Sequence, residues 1–254
     1  MTKFPKYPSA AWALLAVLVA VQICYPLTTG ATRATFTVLT VFIGYVLSTT
    51  HALITRGARA ATVLIAAATF GGFTVEAVGV ATGFPFGTYD YSGELGPKLL
   101  GVPLIIPLAW TWMAWPAWLA ALRLATGPAA RVGIAAFGLA AWDLFLDPQM
   151  VAEGYWRWHS PAPALPGVPT VPLSNYLGWL AFAVLLMTVL ATAGGPATKT
   201  PQRADAPIIA LWFWTYASCV LAHAVFLGLP ASAAWGAALM GAAVLPLALG
   251  WRPA

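Results

Sequence analysis

The sequence predicts an all-α integral membrane protein, a single domain over residues 1–254 that forms a polytopic bundle of about eight transmembrane helices. Of its 254 residues, 61% are hydrophobic, and the mean hydropathy is +0.82. Only 7% are charged, whereas soluble domains carry roughly a quarter. The apolar residues also fall into runs of about 20, the length that a helix needs to cross a bilayer. These observations together exclude a soluble domain.

The apolar runs predict eight helices, most of them separated by short connections. The first run follows two lysines but is longer than the hydrophobic part of a signal peptide, and no small-x-small cleavage site ends it. We therefore expect it to be retained as the first membrane-spanning helix. The predicted spans are 10–28, 34–54, 60–82, 103–124, 130–147, 173–193, 206–228 and 232–250.

Two connections are long, at 83–102 and 148–172, and both are rich in glycine, proline and aromatic residues. Each brings a Gly-Val-Pro sequence to the start of the next span, in GVPLIIPLAW at 101–110 and GVPTVPLSNYLGW at 167–179. The shared pattern has two explanations. It indicates an internal parallel repeat of helix, re-entrant loop and helix, or it reflects only that proline suits the first turn of a helix.

The lysines and arginines are distributed unequally between the two sides of the bundle. Eight spans place both termini on one side, and most of the 12 basic residues fall there. Because basic residues concentrate in cytoplasmic loops, we expect a multi-pass protein of the cell membrane with both termini in the cytoplasm. The basic residues on that side are Lys3, Lys6, Arg56, Arg59, Arg123, Arg131, Lys199, Arg203 and Arg252, and those on the other side are Arg33, Lys98 and Arg157.

The seven acidic residues divide in the opposite way. Only Asp205 falls on the side of the termini, whereas the others lie on the outer side together with His159, Asn175 and His223. One face therefore carries nearly all the ionisable side chains. No basic run is interleaved with aromatic residues, so the net charge of +5 does not indicate a nucleic-acid partner. The outer acidic residues are Glu76, Asp90, Glu94, Asp143, Asp147 and Glu153.

Asp143 and Asp147 stand four residues apart in AAWDLFLDPQM and so share one face of an apolar helix. A charged aspartate deep in a membrane helix costs about 2.5–3.5 kcal/mol, and two close negative charges repel each other. We therefore expect at least one of the pair to stay protonated, beside an ionised partner as acid–base chemistry requires. The alternative for Asp147 is that the Asp-Pro pair simply ends the helix.

Glu76 is a third acidic candidate, placed in GGFTVEAVGVATG about two turns before the end of its helix. An isolated glutamate in a membrane helix indicates a functional site. The alternative is a hydrogen bond that locks two helices together. Gly71, Gly72 and Gly79 around it would allow a neighbouring helix to approach closely.

Aromatic residues crowd the same face, most densely in GYWRWHS at 154–160. They suit either the aromatic belt of a membrane interface or the stabilisation of a carbocation beside a proton donor. The histidines lack the spacing of a metal site, and no phosphate-binding loop, nucleophile elbow or CxxC pair occurs. Cys24 and Cys219 lie in apolar runs, as core residues do. The aromatic residues are Tyr89, Tyr91, Trp142, Tyr155, Trp156, Trp158, Tyr176 and Trp179.

Three stretches of the chain resemble the membrane carotenoid hydratases. They are EAVGVATGFPFGTYDYSGELGPKLLGVPLIIPLAW, AAWDLFLDPQMVAEGYWRW and GVPTVPLSNYLGW. The resemblance covers about 70–179, and its motifs together are specific, whereas 1–59 and 180–254 match only as generic hydrophobic helices. It implies the addition of water to the terminal double bond of an acyclic carotenoid end group, giving a tertiary alcohol without a redox cofactor. Lycopene, gamma-carotene or a bacterioruberin precursor would be the substrate.

The resemblance implies acid–base catalysis by Glu76, Asp143 and Asp147, but it does not indicate which of them gives the proton. The expected partners are the carotenoid, water, the lipid bilayer and other carotenoid biosynthesis enzymes, with no metal or other cofactor. Two alternatives remain. A carotenoid cyclase or isomerase starts with the same protonation but excludes water, and a proton-coupled transporter would place ionisable residues at mid-membrane. The side chains expected to contact the substrate are Tyr89, Tyr91, Trp142, Trp156, Trp158 and Asn175.

Overall fold

A computed structural model describes residues 7–195 and 202–250 of the chain. Eight long helices run through these residues, as the apolar runs predict. Helix α3 contains a π-helical stretch at Ile65–Phe70, and α7 continues as a second one at Ala222–Phe226. The helices are α1 (Tyr7–Cys24), α2 (Gly30–Arg56), α3 (Ala58–Thr82), α4 (Ile106–Leu124), α5 (Pro128–Ala152), α6 (Leu173–Ala193), α7 (Gln202–Leu221) and α8 (Pro230–Gly250).

Within the described residues, seven of these helices are long and apolar enough to cross a membrane. The exception is α4, which carries four tryptophans and lies at the centre of the bundle. Nearly every side chain from Ile106 to Ala121 is buried, because α2, α3, α5, α7 and α8 all pack against this helix. The all-α polytopic membrane bundle is therefore confirmed, with one helix enclosed by the others.

Helix α5 does not end at Asp147 as the spans predicted, but continues through Pro148 to Ala152. Proline has no N–H, so it leaves the carbonyl four residues earlier without its helical partner. Here that carbonyl belongs to Leu144, and the hydroxyl of Ser232 on α8 donates to it at 2.6 Å. The helix therefore tolerates its proline, and Asp147 stands inside it.

The same solution occurs at the proline inside α4. Pro116 leaves the carbonyl of Trp112 without a helical N–H, and the Ser48 hydroxyl of α2 donates to that carbonyl at 2.9 Å. In a bilayer, such backbone groups must find partners within the protein. These two serines therefore tie α2 to α4 and α8 to α5.

The two long loops contain the same order of elements, a single strand followed by a two-stranded hairpin. Strands β1 and β4 pair antiparallel, with Tyr89 opposite Trp158 and Tyr91 opposite Trp156. This pairing joins the loops over one end of the bundle, which we call the loop end. The strands are β1 (Tyr89–Tyr91), β2 (Lys98–Leu99), β3 (Val102–Pro103), β4 (Trp156–Trp158), β5 (Ala164–Leu165) and β6 (Val168–Pro172).

Neither Gly-Val-Pro sequence begins a helix. Val102–Pro103 forms strand β3, so α4 begins at Ile106 and not at 103, and the second sequence enters strand β6 in the same way. The explanation by proline in a first helical turn is therefore wrong. The order helix, strand, hairpin, helix occurs twice, once from α3 to α4 and once from α5 to α6, which supports the internal repeat.

The charged side chains of the described residues follow the predicted division between the two ends. Glu76, Asp143 and Asp147 lie toward the loop end, and Asp205 lies at the opposite end. Which end faces the cytoplasm stays a prediction. Lys3, Lys6, Lys199, Arg252 and the side chain of Arg203 lie outside the part of the chain that the structure describes.

Candidate active site at the loop end

Glu76 is held by three hydrogen-bond donors. The hydroxyls of Tyr89 and Tyr91 donate to its Oε2 at 2.6 and 2.8 Å, and the indole of Trp110 donates to its Oε1 at 3.0 Å. Burial first, and then the adjacent Glu76 carboxylate, raises the pKa of Tyr89 and of Tyr91 far above the usual value. Both phenols therefore stay protonated and available as donors.

Two glycines on the Glu76 face of α3 make room for these donors. Gly72 and Gly79 stand four residues before and three residues after Glu76, so all three share one helix face. A Cβ at Gly72 would lie 2.8 Å from the Trp110 indole, and one at Gly79 would lie 2.7 Å from the Tyr89 hydroxyl. The sequence GGFTVEAVG thus lets one side chain from α4 and one from β1 reach the carboxyl group.

Asp143 and Asp147 are bridged by one amide group on α6. Nδ2 of Asn175 donates to Asp143 Oδ2 at 2.7 Å and also to Asp147 Oδ2. The indole of Trp156 on β4 donates to Asp147 Oδ1 at 3.0 Å. The remaining oxygen, Asp143 Oδ1, is buried and has no hydrogen-bond partner among the described residues. The two carboxyl groups together therefore receive three hydrogen bonds from Asn175 and Trp156, as many as Glu76 receives alone.

A cavity of about 150 Å³ connects the two carboxyl sites, and Glu76, Asp147 and Asn175 all line it. Its walls are mainly aromatic. Trp110 and Trp179 stack with ring centroids 3.7 Å apart, and Trp142 stands edge-on to Trp179 at 6.1 Å and to Trp112 at 5.6 Å. Other lining residues are Phe86, Tyr89, Tyr91, Trp156 and Trp158.

The structure brings all the predicted site residues together, but it separates one from the cavity. Asp143 is completely buried and does not line the cavity, although it shares the Asn175 amide with Asp147. The other predicted residues line it. Among the aromatic residues of this face, Tyr155 and Tyr176 do not.

Sequence reasoning missed Trp110 and Phe86. Trp110 is the last residue of the motif GVPLIIPLAW. Its place in this motif, near the start of a predicted helix, could have indicated that it belongs to the site. Phe86 contributes its ring to the cavity wall and its carbonyl to the indole of Trp158, at 2.9 Å. No spacing in the sequence indicates that contact.

The two histidines at this end lie outside the carboxyl site. His159 bonds the exposed Asp90 at 2.7 Å, and His223 is buried between Ser232 and Gln149 at 2.8 and 3.0 Å. Within the part of the chain that the structure describes, no three His, Cys, Asp or Glu side chains form a group able to hold a metal ion. Among the described residues, no Lys, Arg or His forms an ion pair with Glu76, Asp143 or Asp147.

Comparison with known proteins gives two matches. The family model described as carotenoid biosynthesis protein matches residues 11–245. Bisanhydrobacterioruberin hydratase of Haloarcula japonica is 37% identical over 136 residues, which are 50% of this chain and 45% of that protein. The match thus spans less than half the length of this curated relative, and no solved structure matches.

The family model covers nearly the whole chain, including both carboxyl sites and the aromatic cavity between them. The chain therefore belongs to the carotenoid biosynthesis protein family.

Proposed function

We propose that the protein is a cofactor-independent carotenoid hydratase, which adds water to the terminal double bond of an acyclic end group. The observation that carries this proposal is the position of Glu76 and Asp147 on one buried aromatic cavity, with no cation paired to either among the described residues. Adding water to an alkene needs a proton donor for one carbon, stabilisation of the resulting cation, and water for the other carbon. The cavity offers a group for each step.

Asp147 is the proton donor in this proposal. It lines the cavity, whereas Asp143 does not and interacts with Asp147 both directly and through the Asn175 amide. The amide provides one hydrogen to each carboxyl group and leaves Asp143 Oδ1 unpartnered. A proton held by the pair removes the repulsion between two buried negative charges. Asp143 is therefore a positioning residue, which acts through Asp147.

Glu76 and the indoles stabilise the cation. Protonation of the less substituted carbon of the double bond leaves a tertiary carbocation in the cavity. The faces of Trp110, Trp112, Trp142 and Trp179 attract positive charge, and the Glu76 carboxylate, fixed by three donors, adds a negative charge already in place before the reaction. No rearrangement of the site is needed when the charge develops.

Water then completes the reaction. Its oxygen bonds to the tertiary carbon, and one of its protons returns to Asp147, which restores the initial state of the pair. The sum of the steps is the addition of one water molecule to one double bond, and no electrons are gained or lost. The product is a tertiary alcohol, and neither a redox cofactor nor molecular oxygen takes part.

The substrate would be a carotenoid with an open, uncyclised end. A rigid polyene is comparable in length to the hydrocarbon core of a bilayer, about 30 Å, so its end group would reach the loop end where water is near. The name of the Haloarcula japonica relative indicates bisanhydrobacterioruberin as a substrate for that protein. A bacterioruberin precursor, lycopene or gamma-carotene is accordingly the class that we propose for this chain.

Expression in a lycopene-producing host tests the proposal. We expect carotenoids whose masses exceed that of lycopene by one or two water molecules, and none from a strain that makes Asp147→Asn. The exposed carboxylate variant Asp90→Asn serves as the matched control and should retain the product. New carotenoids of unchanged mass would instead indicate a cyclase or isomerase, and unaltered lycopene would refute catalysis on this substrate.

A further inference from the structure

The cavity has a second set of polar lining side chains besides those of the carboxyl sites. These side chains are uncharged and come from α1, α2, α5 and α7, whereas Glu76 comes from α3, Asn175 from α6 and Asp147 from α5. We call the part of the cavity that they line the threonine arm, after Thr40 and Thr215. Its polar lining residues are Gln22, Thr37, Thr40, Gln149, Thr215 and Ser218.

Thr40 and Thr215 differ from most threonines in the helices of this protein. Among the described residues, ten helical threonines donate their hydroxyl to the carbonyl four residues earlier, as Thr188 does to Val184 at 2.7 Å. This local bond is the usual way to satisfy a hydroxyl in a membrane helix. The Thr40 and Thr215 hydroxyls are buried without a partner among the described residues. Both of these residues line the same cavity.

A third unpartnered group lies on the cavity wall. The indole nitrogen of Trp112 is buried and makes no hydrogen bond to the described residues, and Trp112 and Thr215 are only 2% and 1% exposed. Native proteins leave very few buried polar groups unsatisfied, because the loss of hydration is costly. Several buried groups without a partner surround this one cavity, among them the Thr40 and Thr215 hydroxyls and the Trp112 N–H, and together they indicate a bound ligand.

The ligand must be small, uncharged and able both to donate and to accept hydrogen bonds. No charged side chain lines the threonine arm, and a hydroxyl needs a partner of either kind. A cavity of about 150 Å³ has room for several water molecules. Water meets each requirement, and it is the second substrate of the proposed reaction.

The depth of the arm fits this assignment. Thr40 lies about 15 Å along α2 from the loop end, a depth similar to that of Asp143 on α5. Bulk water is absent at that depth in a bilayer. We infer that the threonine arm is a water-binding subsite, and that it holds the water consumed at the carboxyl groups. The use of this water in catalysis rests on the proposed function, whereas its presence does not.

Thermal melting of the purified protein tests whether the arm is occupied. Thr215→Val and Thr40→Val keep the shape of the side chain but remove the hydroxyl. If water bonds these hydroxyls, both variants should melt at a lower temperature than the matched control Thr188→Val, whose hydroxyl bonds its own helix on an exposed face. A melting temperature above that of the control would mean that an unsatisfied group was removed, and it would overturn the subsite.

Turnover of lycopene tests the use of the water. Loss of one hydrogen bond to the attacking water should lower kcat roughly two- to tenfold with an unchanged KM for lycopene. Thr215→Ser, which restores the hydroxyl, should recover kcat, and Thr188→Val should match the unaltered protein. Full kcat in both valine variants would overturn the delivery of water from this arm. An unaltered protein that hydrates nothing would instead refute the proposed function, and the melting comparison would still decide whether water is bound.

Discussion

The two ends of the bundle both contain buried carboxyl groups, in opposite surroundings. At the end away from the loops, Asp205 receives the guanidinium groups of Arg56 and Arg123 at 2.9 and 3.2 Å. At the loop end, Glu76 and Asp147 are equally buried but receive only neutral phenol, indole and amide donors. The first arrangement compensates a buried charge, and the second leaves a charge or a proton available.

This difference distinguishes a carboxylate that stabilises the fold from carboxyl groups that are available for catalysis. Through its ion pairs with Arg56 and Arg123, Asp205 connects the start of α7 to α2 and α4. It does not line the cavity. Burying a carboxylate without a cation is costly in a membrane. Buried charged groups that lack a compensating partner are therefore expected at functional sites. The comparison therefore attributes stability to the Asp205 end and supports our proposal that catalysis takes place at the loop end.

The largest expected effect is on turnover, at the loop end. Asp147→Asn removes the proton donor and Glu76→Gln removes the charge that faces the cation. Each should lower hydration by roughly 10²–10⁴-fold, because positioned acids and preorganised charges contribute about that much. Asp143→Asn should lower it less, since Asp143 acts through Asn175 and Asp147. The measurement is product formed per amount of folded protein extracted from the membrane.

The melting temperature of these variants distinguishes a catalytic role from a structural one. An amide in place of a carboxyl group that lacks a cationic partner should leave the melting temperature equal or raise it. Full activity in Asp147→Asn would remove that residue from the mechanism. A collapse in folded protein would show that Asp147 is structural, as Asp205 is.

The next effect is on stability, at the opposite end. Asp205→Asn leaves Arg56 and Arg123 buried without their carboxylate, and losing one partner of a buried ion pair costs about 3–5 kcal/mol. The free energy of unfolding should fall accordingly, while turnover per folded molecule stays unchanged. A variant of normal stability and reduced turnover would invert the assignment of the two ends.

A smaller effect is expected from the donors to Glu76. Tyr89→Phe and Tyr91→Phe each remove one hydroxyl from its Oε2. A hydrogen bond to a charged group contributes about 1.5–3 kcal/mol, so turnover should fall roughly ten- to hundredfold. Tyr216→Phe is the matched control, because its hydroxyl bonds the Ala237 carbonyl and Tyr216 does not line the cavity. Equal turnover in all three variants would contradict the proposal that the Glu76 carboxylate stabilises the cation.

Much of the fold could be read from the sequence, because each helix is a separate apolar run. The same reasoning predicted that Glu76, Asp143 and Asp147 lie at one end of the bundle. Successive helices cross the membrane in opposite directions, and each of these residues lies in the half of its helix that leads into a long loop. The density of tryptophan and tyrosine in the two long loops suited either an aromatic belt or a site beside a proton donor. Aromatic residues of these loops that line the cavity include Tyr89, Tyr91, Trp156 and Trp158.

Contacts between distant segments could not be read in this way. Strands β1 and β4 are three residues each and far apart in the chain, so no local pattern predicts their pairing. Pro148 suggested a helix end because the hydroxyl that replaces its missing N–H comes from Ser232, on another helix. Likewise, no local pattern shows that Asp147 lines the cavity whereas Asp143, one turn earlier on the same helix, does not.

The origin of the hydroxyl oxygen tests the central claim most directly. The purified protein would be supplied with lycopene in water labelled with heavy oxygen, with and without air, and the product examined by mass spectrometry. The account predicts labelled oxygen in the alcohol, at the same rate in both atmospheres. Oxygen derived from air, or a reaction that stops without it, would contradict hydration by the carboxyl groups of the loop end.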